Sequence, residues 1–314
     1  MRILFAIENF YQYFKHSMHR KIFLISLLLA VTFCFSVSQQ QNDTLLSSST
    51  KKQWMTYGLV AYTAASFYVE YKWWWEGNYH HFVFQNEGFW NNYSLGVDKF
   101  GHFYISYLYF NLTYEILRWA EYDEETALWI AVSIPAFNAL SIEIGDGFSN
   151  YNFSGVDLAA NVLGIGYGLA QNKFPFLQNF KFKWSYYPSG HIPFDGQFRI
   201  TDDYDGHIYW LSVNVHNLLP ESVQPWWPKF LNIAAGYGGT NIYGRPKRIG
   251  TPILPVGKRE RKWAVSLDYN ISEIPLSGGL WNTLKSMLDN FKFPAPGVER
   301  IGSESVRVKP LLLN

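Results

Sequence analysis

The chain begins with a strongly apolar run, residues 22–37 (IFLISLLLAVTFCFSV), which follows the basic pair at residues 20–21. A polar stretch, residues 38–42, comes directly after the run. This order of basic, apolar and small polar residues is typical of a secretory signal. Small serines occupy the −3 and −1 positions of a cleavage site before Gln39. The pattern therefore predicts an exported protein with a signal peptide at residues 1–38.

Two features of this leader leave alternatives open. The basic cluster lies close to Met18, so Met18 is favoured as the true start of the protein. A retained membrane anchor is the alternative to cleavage, although about 16 apolar residues fall short of the roughly 20 needed to span a bilayer. Cys34 is the only cysteine and lies within the run. A mature chain that begins at Gln39 would therefore have no disulfide and no cysteine-ligated metal.

The first half of the predicted mature chain has helical periodicity. Residues 39–52 are polar and rich in Ser and Gln, which favours a tether. The third helical segment has the longest uncharged stretch, Thr126–Ile142, which is about 25 Å long at 1.5 Å per residue. A bilayer core is about 30 Å thick, so we predict that these helices pack on each other, with partial embedding left open. The predicted helices are residues 53–72, 98–119, 123–145 and 154–171.

The second half of the chain, from residue 173, has short runs in which bulky apolar residues alternate with small or polar ones. About four to six such runs are present, whereas a membrane barrel needs at least about eight strands, so we predict a small sheet packed on the helices. The fold class is α+β, with a helical bundle of about four helices at residues 53–172 and a β-rich region at 173–314. One amphipathic helix is predicted within that region, at residues 277–292. The clearest strand patterns are residues 208–215, 231–238 and 263–270.

Composition favours contact with a membrane. Charged residues make up 16% of the chain and aromatic residues 19%, whereas charged residues are about 25% of a typical soluble protein. The tryptophan clusters at residues 73–75 and 226–227 suit the bilayer interface, although a protein core or interface explains them equally well. The net charge of +1 and the absence of long Lys/Arg runs argue against nucleic acid as a partner, because phosphate binding needs a basic patch.

Three successive predicted helices each carry a polar pair with a spacing of three or four residues, which places both members on one helix face. Short connections between the helices make it easy for the pairs to converge at one end of the bundle. No phosphate-binding loop, nucleophile elbow or zinc-protease helix motif accompanies them. The pairs are Asp98 with His102, Glu143 with Asp146, and Asp157 with Asn161.

These polar residues permit a catalytic or a metal-binding interpretation. His102, with Asp98 and Glu143, is the candidate set for general acid–base catalysis. His102, Glu143, Asp146, Asp157 and Asn161 form either a divalent-metal site or a structural polar network. No other cofactor is indicated. Several carboxylates close together repel one another, so the cluster needs a counter-charge from Lys99 or a metal.

A purely structural interpretation accounts for many of the same residues. Ser154 and Asp157 have the spacing of a capping box, and Asp98 could cap the second helix. Glycines in these helices suit a helix C-terminus or close helix contacts. They are Gly147, Gly164 and Gly168.

The order of these motifs resembles two related groups of uncharacterised proteins, the YfiM-like predicted periplasmic lipoproteins and the VanZ-like membrane proteins. The resemblance covers residues 53–171 and implies a helical envelope protein of undetermined biochemistry. The chain departs from the lipoprotein group because Thr32 and Phe33 precede Cys34 and do not form a convincing lipidation motif. The matching residues are Asp98, Lys99, His102 and Phe103; Glu143, Asp146 and Phe148; and Asp157, Asn161 and Gly164.

Three hypotheses for function follow. The first is a non-enzymatic protein of a Gram-negative periplasm or outer membrane, which binds a lipid membrane or an envelope protein partner. The alternative is an envelope hydrolase that uses His102 and the neighbouring carboxylates on a lipid-linked or cell-wall substrate. The third is a pore built from several copies that each contribute strands.

Overall fold

The computed structural model describes residues 48–189, 199–242, 257–275 and 279–313. The predicted signal peptide, the proposed start at Met18, Cys34 and residues 39–47 of the tether lie outside these ranges. Residues 48–275 and 285–314 belong to one compact unit, which contains both helices and strands.

Four long helices lie within about five residues of the predicted ones. The first begins inside the predicted tether, because Ser48 and its polar neighbours are residue types that the first turn of a helix favours. The C-terminal helix is shorter than predicted. Arrangement of the four long helices as one bundle stays a prediction. The helices are α1 (Ser48–Glu70), α2 (Val97–Trp119), α3 (Glu124–Gly147), α4 (Gly155–Lys173), α5 (Val215–Leu218) and α6 (Gly279–Leu288).

The strands form one large sheet and one short pair. β1 (Phe84–Gln85) and β2 (Phe153–Ser154) form a parallel two-residue pair. The large sheet has six strands in chain order, and every neighbouring pair is antiparallel. The predicted α+β class is confirmed. The strands of the large sheet are β3 (Phe180–Tyr186), β4 (His207–Val213), β5 (Leu231–Thr240), β6 (Glu260–Tyr269), β7 (Ala295–Ile301) and β8 (Arg307–Leu312).

Helix α2 connects the helical part to the sheet. Its residues Tyr104 and Tyr107 are buried in one apolar cluster with Tyr209 of β4 and Tyr237 of β5. The hydroxyl group of Tyr104 also donates a hydrogen bond of 2.6 Å to the carbonyl oxygen of Asn290. The helix that carries the Asp98–His102 pair is thus fixed on one side by the sheet.

Helix α4 packs closely against the other side of α2, as its glycines predicted. A Cβ atom on Gly164 would lie 2.1 Å from the backbone oxygen of Phe103, and one on Gly168 would lie 2.4 Å from the Phe110 ring. Gly147 is the last residue of α3, as predicted. It does not adopt a left-handed conformation, and a Cβ there would lie 2.3 Å from the Phe82 ring.

Helix α3 is longer than its uncharged stretch indicated. It has 24 residues, so it is about 36 Å long at 1.5 Å per residue. Within the described ranges, it is one helix that is long and apolar enough to cross a membrane, by length and composition alone.

Candidate functional site

The start of α2 leaves the Asp98 carboxylate available for the site. Asn92 Oδ1 accepts hydrogen bonds from the backbone N–H groups of Ser94 and Gly96, at 3.1 and 2.9 Å. The Ser94 hydroxyl oxygen accepts the Asp98 N–H at 3.3 Å. The predicted cap by Asp98 is therefore wrong, because the preceding loop supplies the cap and Asp98 lies in the first turn of the helix.

The start of α4 is capped by residues from two helices. The Ser154 hydroxyl oxygen accepts the Asp157 N–H at 3.2 Å, as predicted. The reciprocal bond of a capping box is replaced, because the Ser154 N–H donates to Glu143 Oε2 of α3 at 3.0 Å. Glu143 thereby ties the end of α3 to the start of α4, and the Asp157 carboxylate is directed elsewhere.

Lys99 lies at the centre of the cluster and supplies the predicted counter-charge. Its side chain is completely buried, and its ammonium nitrogen lies 2.6 Å from Glu87, 2.8 Å from Asp98 and 2.5 Å from Asp157. Sequence reasoning missed Glu87, because it lies in an irregular loop where no helical or strand periodicity marks it.

His102 faces three carboxylates from the open side of the cluster. Its Nε2 lies 3.6 Å from Asp98 Oδ1 and 3.9 Å from Asp157 Oδ1. Its Nδ1 lies 4.0 Å from Glu143 Oε1 and 3.3 Å from the amide nitrogen of Asn161. The histidine side chain is 26% exposed. It is therefore the member of this group through which solvent or a ligand reaches the buried carboxylates.

Asn161 orients the imidazole ring. The Ser106 hydroxyl donates to Asn161 Oδ1 at 2.8 Å, which turns the Asn161 amide nitrogen toward His102. In the neutral ring, an N–H donated by Asn161 to Nδ1 leaves the ring proton on Nε2. That proton then points toward Asp98 and Asp157.

Asp146 is not paired with His102. Its Oδ1 accepts a hydrogen bond of 2.8 Å from the indole N–H of Trp75, and the same indole packs against Gly145. The structure thus brings together five of the six predicted polar residues. The pairing of Asp146 with a distant tryptophan could not be read from a three-residue spacing in α3.

The electrostatics of the cluster favour bound protons. Burial lowers the pKa of His102, but the combined charges of Asp157, Asp98 and Glu143 outweigh burial and raise that pKa above its ordinary value. Burial raises the pKa of Glu143 to about 8, against the opposing effect of the His102 charge. Burial also raises the pKa of Asp157. A carboxyl group that holds its proton near neutral pH beside a histidine is suited to proton transfer.

A divalent metal has three ligands available at this position. Asp98, His102 and Asp157 offer ligand atoms that all lie within 4.8 Å of one another. Lys99 already contacts both carboxylates, so a metal would share or displace that ion pair. Glu143 Oε1 is buried and has no hydrogen-bond partner within the described residues. This oxygen faces His102 Nδ1 at a distance of 4.0 Å.

The fold and the cluster together define an α+β protein in which buried charges join three helices at one partly open end. Residues 86–173 match the model of a family described as predicted periplasmic lipoprotein (DUF2279). The matched segment is little more than a quarter of the chain, but it contains every residue of the cluster from Glu87 to Asn161. The predicted resemblance to that family is confirmed over this segment, and the resemblance to VanZ-like proteins is not supported. No curated protein and no solved structure matches the chain.

Proposed function

We propose that the protein is an exported envelope protein that associates with a membrane through the outer face of its helices. The observation that carries this proposal is the distribution of side chains around α3. Small residues dominate its buried face, including Ala127, Ala131, Ala139 and Gly147. Its outer face carries large apolar residues, and these are Trp129 (67% exposed), Phe137 (61%), Leu140 (42%) and Ile144 (43%).

This distribution is the reverse of that in a water-soluble helix. In water, large apolar side chains are the ones that gain most from burial. In lipid the helices gain nothing by hiding apolar groups, so small residues occupy helix contacts and large ones face the acyl chains. Helix α4 repeats the pattern, since Gly164 and Gly168 are buried while Val162 and Leu163 are 58% and 64% exposed.

The family match supports a location in the periplasm, because its description names periplasmic lipoproteins. Lipidation at Cys34 is an alternative that the sequence does not favour, because Thr32 and Phe33 precede the cysteine. The outer membrane as the specific membrane, and a protein partner in the envelope, are also proposals.

Photolabelling tests the membrane proposal directly. The full-length protein, purified from the envelope, is incubated with vesicles of phosphatidylcholine that carries a diazirine in one acyl chain. After illumination, peptide mapping is expected to find the label on α3 at Trp129, Phe137, Leu140 and Ile144. The lipid-facing side chains are expected to react because the acyl chains lie against them.

Trp226, which is 86% exposed and lies in a short 3₁₀ helix outside α1–α6, shows whether exposure alone attracts the label. A Phe137→Lys variant should lose most of the label on α3, because a lysine on a lipid-facing surface costs about 2–3 kcal/mol. Leu218→Lys is the matched control. Label confined to the N-terminal run, with none on α3, would overturn the proposal.

A second function is favoured by the unpaired oxygen of Glu143. We propose that His102 and Glu143 act as an acid–base pair on a polar group of a substrate, with Asp98 and Asp157 orienting the histidine. A protonated Glu143 would donate while neutral His102 accepts a proton, which is the division of roles that hydrolysis of a lipid-linked or cell-wall substrate requires.

Metal binding and thermal stability distinguish three interpretations of the cluster: a metal site, an acid–base site and a structural network. If the site binds metal, dialysis of the purified protein against Zn²⁺ or Mn²⁺ should leave about one ion per chain, and His102→Ala should abolish it. In an acid–base site without metal, Glu143→Gln should leave the melting temperature within a few degrees of wild type. A large fall in melting temperature for both variants, with no metal bound, would support a purely structural network.

A further inference from the structure

One face of the large sheet, the inner face, is polar; the other, the apolar face, carries α2 over Tyr209 of β4 and Tyr237 of β5. Buried polar residues follow the inner face of successive strands, whereas a soluble sheet usually places polar residues on its solvent face. In the register of β5 and β6, buried Asn232 lies opposite buried Asp268. The buried polar residues of this face are Lys183, Ser212, Asn232, Lys262, Asp268 and Glu299.

Two rows of side chains cross the apolar face of the sheet. Directly opposed residues in an antiparallel sheet share a face, so the strand register defines each row. The first row is entirely apolar and consists of Phe182, Leu211, Ala235, Val265, Val298 and Val308. The second row is aromatic until its last member and consists of Trp184, Tyr209, Tyr237, Trp263 and Arg300.

Beyond the part that α2 covers, this face is open to solvent on β6 and β8. Trp263 is 52% exposed, Val265 51% and Val308 78%. A cavity of about 430 Å³ is lined by residues of both rows, by the small residues Ala235 and Gly236, and by Phe100 of α2. A groove of this size and apolar lining suits an aliphatic chain.

One end of the groove is basic. Arg300 lines the cavity and lies opposite Trp263 in the strand register. The guanidinium of Arg261 lies 5.8 Å from the centre of the Trp90 ring, and that ring packs against Trp263 at 6.5 Å. Arginines beside exposed tryptophans are typical of the headgroup level of a membrane.

The acidic residues near this end are engaged elsewhere. Glu299 also lines the cavity, but its carboxylate is buried and pairs with Lys309 at 3.0 Å. Glu304 pairs with Arg307 at 2.6 Å, and the Glu260 carboxylate lies against Gly302. A negatively charged group of a ligand would therefore neutralise Arg300 at the groove entrance.

We propose that this groove binds one acyl chain of an anionic phospholipid, whose phosphate contacts Arg300. The inference rests on the proposed membrane association, because the lipid reaches the groove from a bilayer. It assigns to the sheet a lipid site separate from the outer face of α3.

The test uses the full-length protein and vesicles of equal parts phosphatidylcholine and phosphatidylglycerol. A diazirine is placed in an acyl chain of one lipid or the other. Phosphatidylglycerol is expected to label the apolar face of β5 and β6, at Ala235 and Val265, more strongly than phosphatidylcholine does. Arg300→Gln should reduce this labelling roughly fivefold, since one basic residue near an anionic surface has about that effect.

Two variants give the test its controls. Arg307→Gln removes the same charge from an exposed arginine that does not line the groove, and it should leave the labelling unchanged. Ala235→Phe should fill the groove and abolish the labelling even if Arg300 is intact. Equal labelling by the two lipids, or insensitivity to both groove variants, would overturn the inference.

The assay distinguishes failure of this inference from failure of the membrane proposal. Label on α3 but none in the groove would refute the lipid site and leave membrane association standing. Label in the groove but none on α3 would refute the proposed use of α3. A dimer that dissociates in Ala235→Phe, without lipid label, would show that a second copy of the chain covers the face and would overturn the inference.

Discussion

Two lysines are buried beside carboxylates, one in the helical part and one in the sheet. The two clusters differ in how far their charges are compensated. Lys99 is surrounded by Glu87, Asp98 and Asp157. Lys183 contacts Asp268 at 2.9 Å and Asp289 at 2.8 Å. Neither lysine side chain is more than 1% exposed. Such ions remain buried only when their charges are compensated.

The charges around Lys183 balance, and those around Lys99 do not. Lys181 adds a second cation 2.6 Å from Asp289, and the two lysines together overcome burial and lower the pKa of Asp289. In the helical cluster, carboxylates outnumber cations, and burial raises the pKa of Glu143 and Asp157. The comparison teaches that lysines fully compensate the carboxylates of the sheet cluster. The helical cluster keeps an excess of carboxylates, which a bound proton or a further cation would compensate.

Removal of each lysine should have the largest effect on the free energy of unfolding. Lys99→Met is expected to cost about 4–5 kcal/mol, because three buried carboxylates lose their shared cation. Lys183→Met should cost about 3 kcal/mol, since Lys181 still compensates Asp289. Urea denaturation measures both values.

A divalent cation sharpens this comparison. Millimolar Mg²⁺ or Ca²⁺ should restore part of the stability of Lys99→Met, because oxygen ligands would surround the vacated position. The same salt should not restore the stability of the Lys183→Met variant. Lys181→Met, at a partly exposed position, is the control and should cost only about 1 kcal/mol. Equal rescue of both buried variants would contradict the distinction between the clusters.

The close contact of α2 with α4 should be the next most sensitive feature. Gly164→Ala is expected to cost about 2–3 kcal/mol, because the new methyl group would overlap the Phe103 carbonyl and push the helices apart. Gly166→Ala is the matched control, since a Cβ there meets no atom within 4 Å. It should be neutral or stabilise by up to about 1 kcal/mol through helix propensity. Thermal melts of the two variants decide the matter, and similar melting temperatures would refute the close contact.

The stability of the protein should fall as pH rises from about 6.5 to about 8. In this window Glu143, with a pKa of about 8, keeps its proton in the folded state but is ionised when unfolded. His102, with a raised pKa, acts in the same direction. Each proton lost on unfolding changes the free energy of unfolding by about 1.4 kcal/mol per pH unit.

Glu143→Gln should flatten this pH dependence without removing all of it. Glu70, whose pKa burial raises to about 7, contributes in the same direction, so Glu70→Gln isolates its share. The buried His207 has a lowered pKa and opposes the trend only below its ordinary value of 6.5. Denaturation at pH 6.5, 7.2 and 8 measures the slopes. A Glu143→Gln slope equal to the wild-type slope would show that Glu143 is ionised in the fold.

The smallest expected effect belongs to the hydrogen bond that joins the sheet region to the helical cluster. The Tyr204 hydroxyl donates to Asp98 Oδ1 at 3.3 Å. Tyr204→Phe should cost about 1 kcal/mol, the usual value for one such bond. Tyr187→Phe, at an exposed position, is the control. If both variants unfold at the wild-type urea concentration, Asp98 is held by Lys99 alone.

Local patterns in the sequence were sufficient to predict many parts of this protein. Helical periodicity located α2, α3 and α4 within a few residues, and the i, i+4 spacing placed Asp98 and His102 on one face of α2. The close approach at Gly164 was also predictable, because only a small residue permits it. These features depend on neighbours within one or two helical turns.

Other features depend on residues far apart in the chain, and only the tertiary structure decided them. The contact of Glu87 with Lys99 joins a loop to a helix, and the sheet cluster joins Lys183 to residues about a hundred positions away. Alternation predicted that the strands have two different faces, but it could not tell which face is buried. The sequence by itself thus determined the elements and the polar pairs on them. Packing between elements decided which charges are balanced and which apolar face is exposed, because both depend on distances that no local spacing encodes.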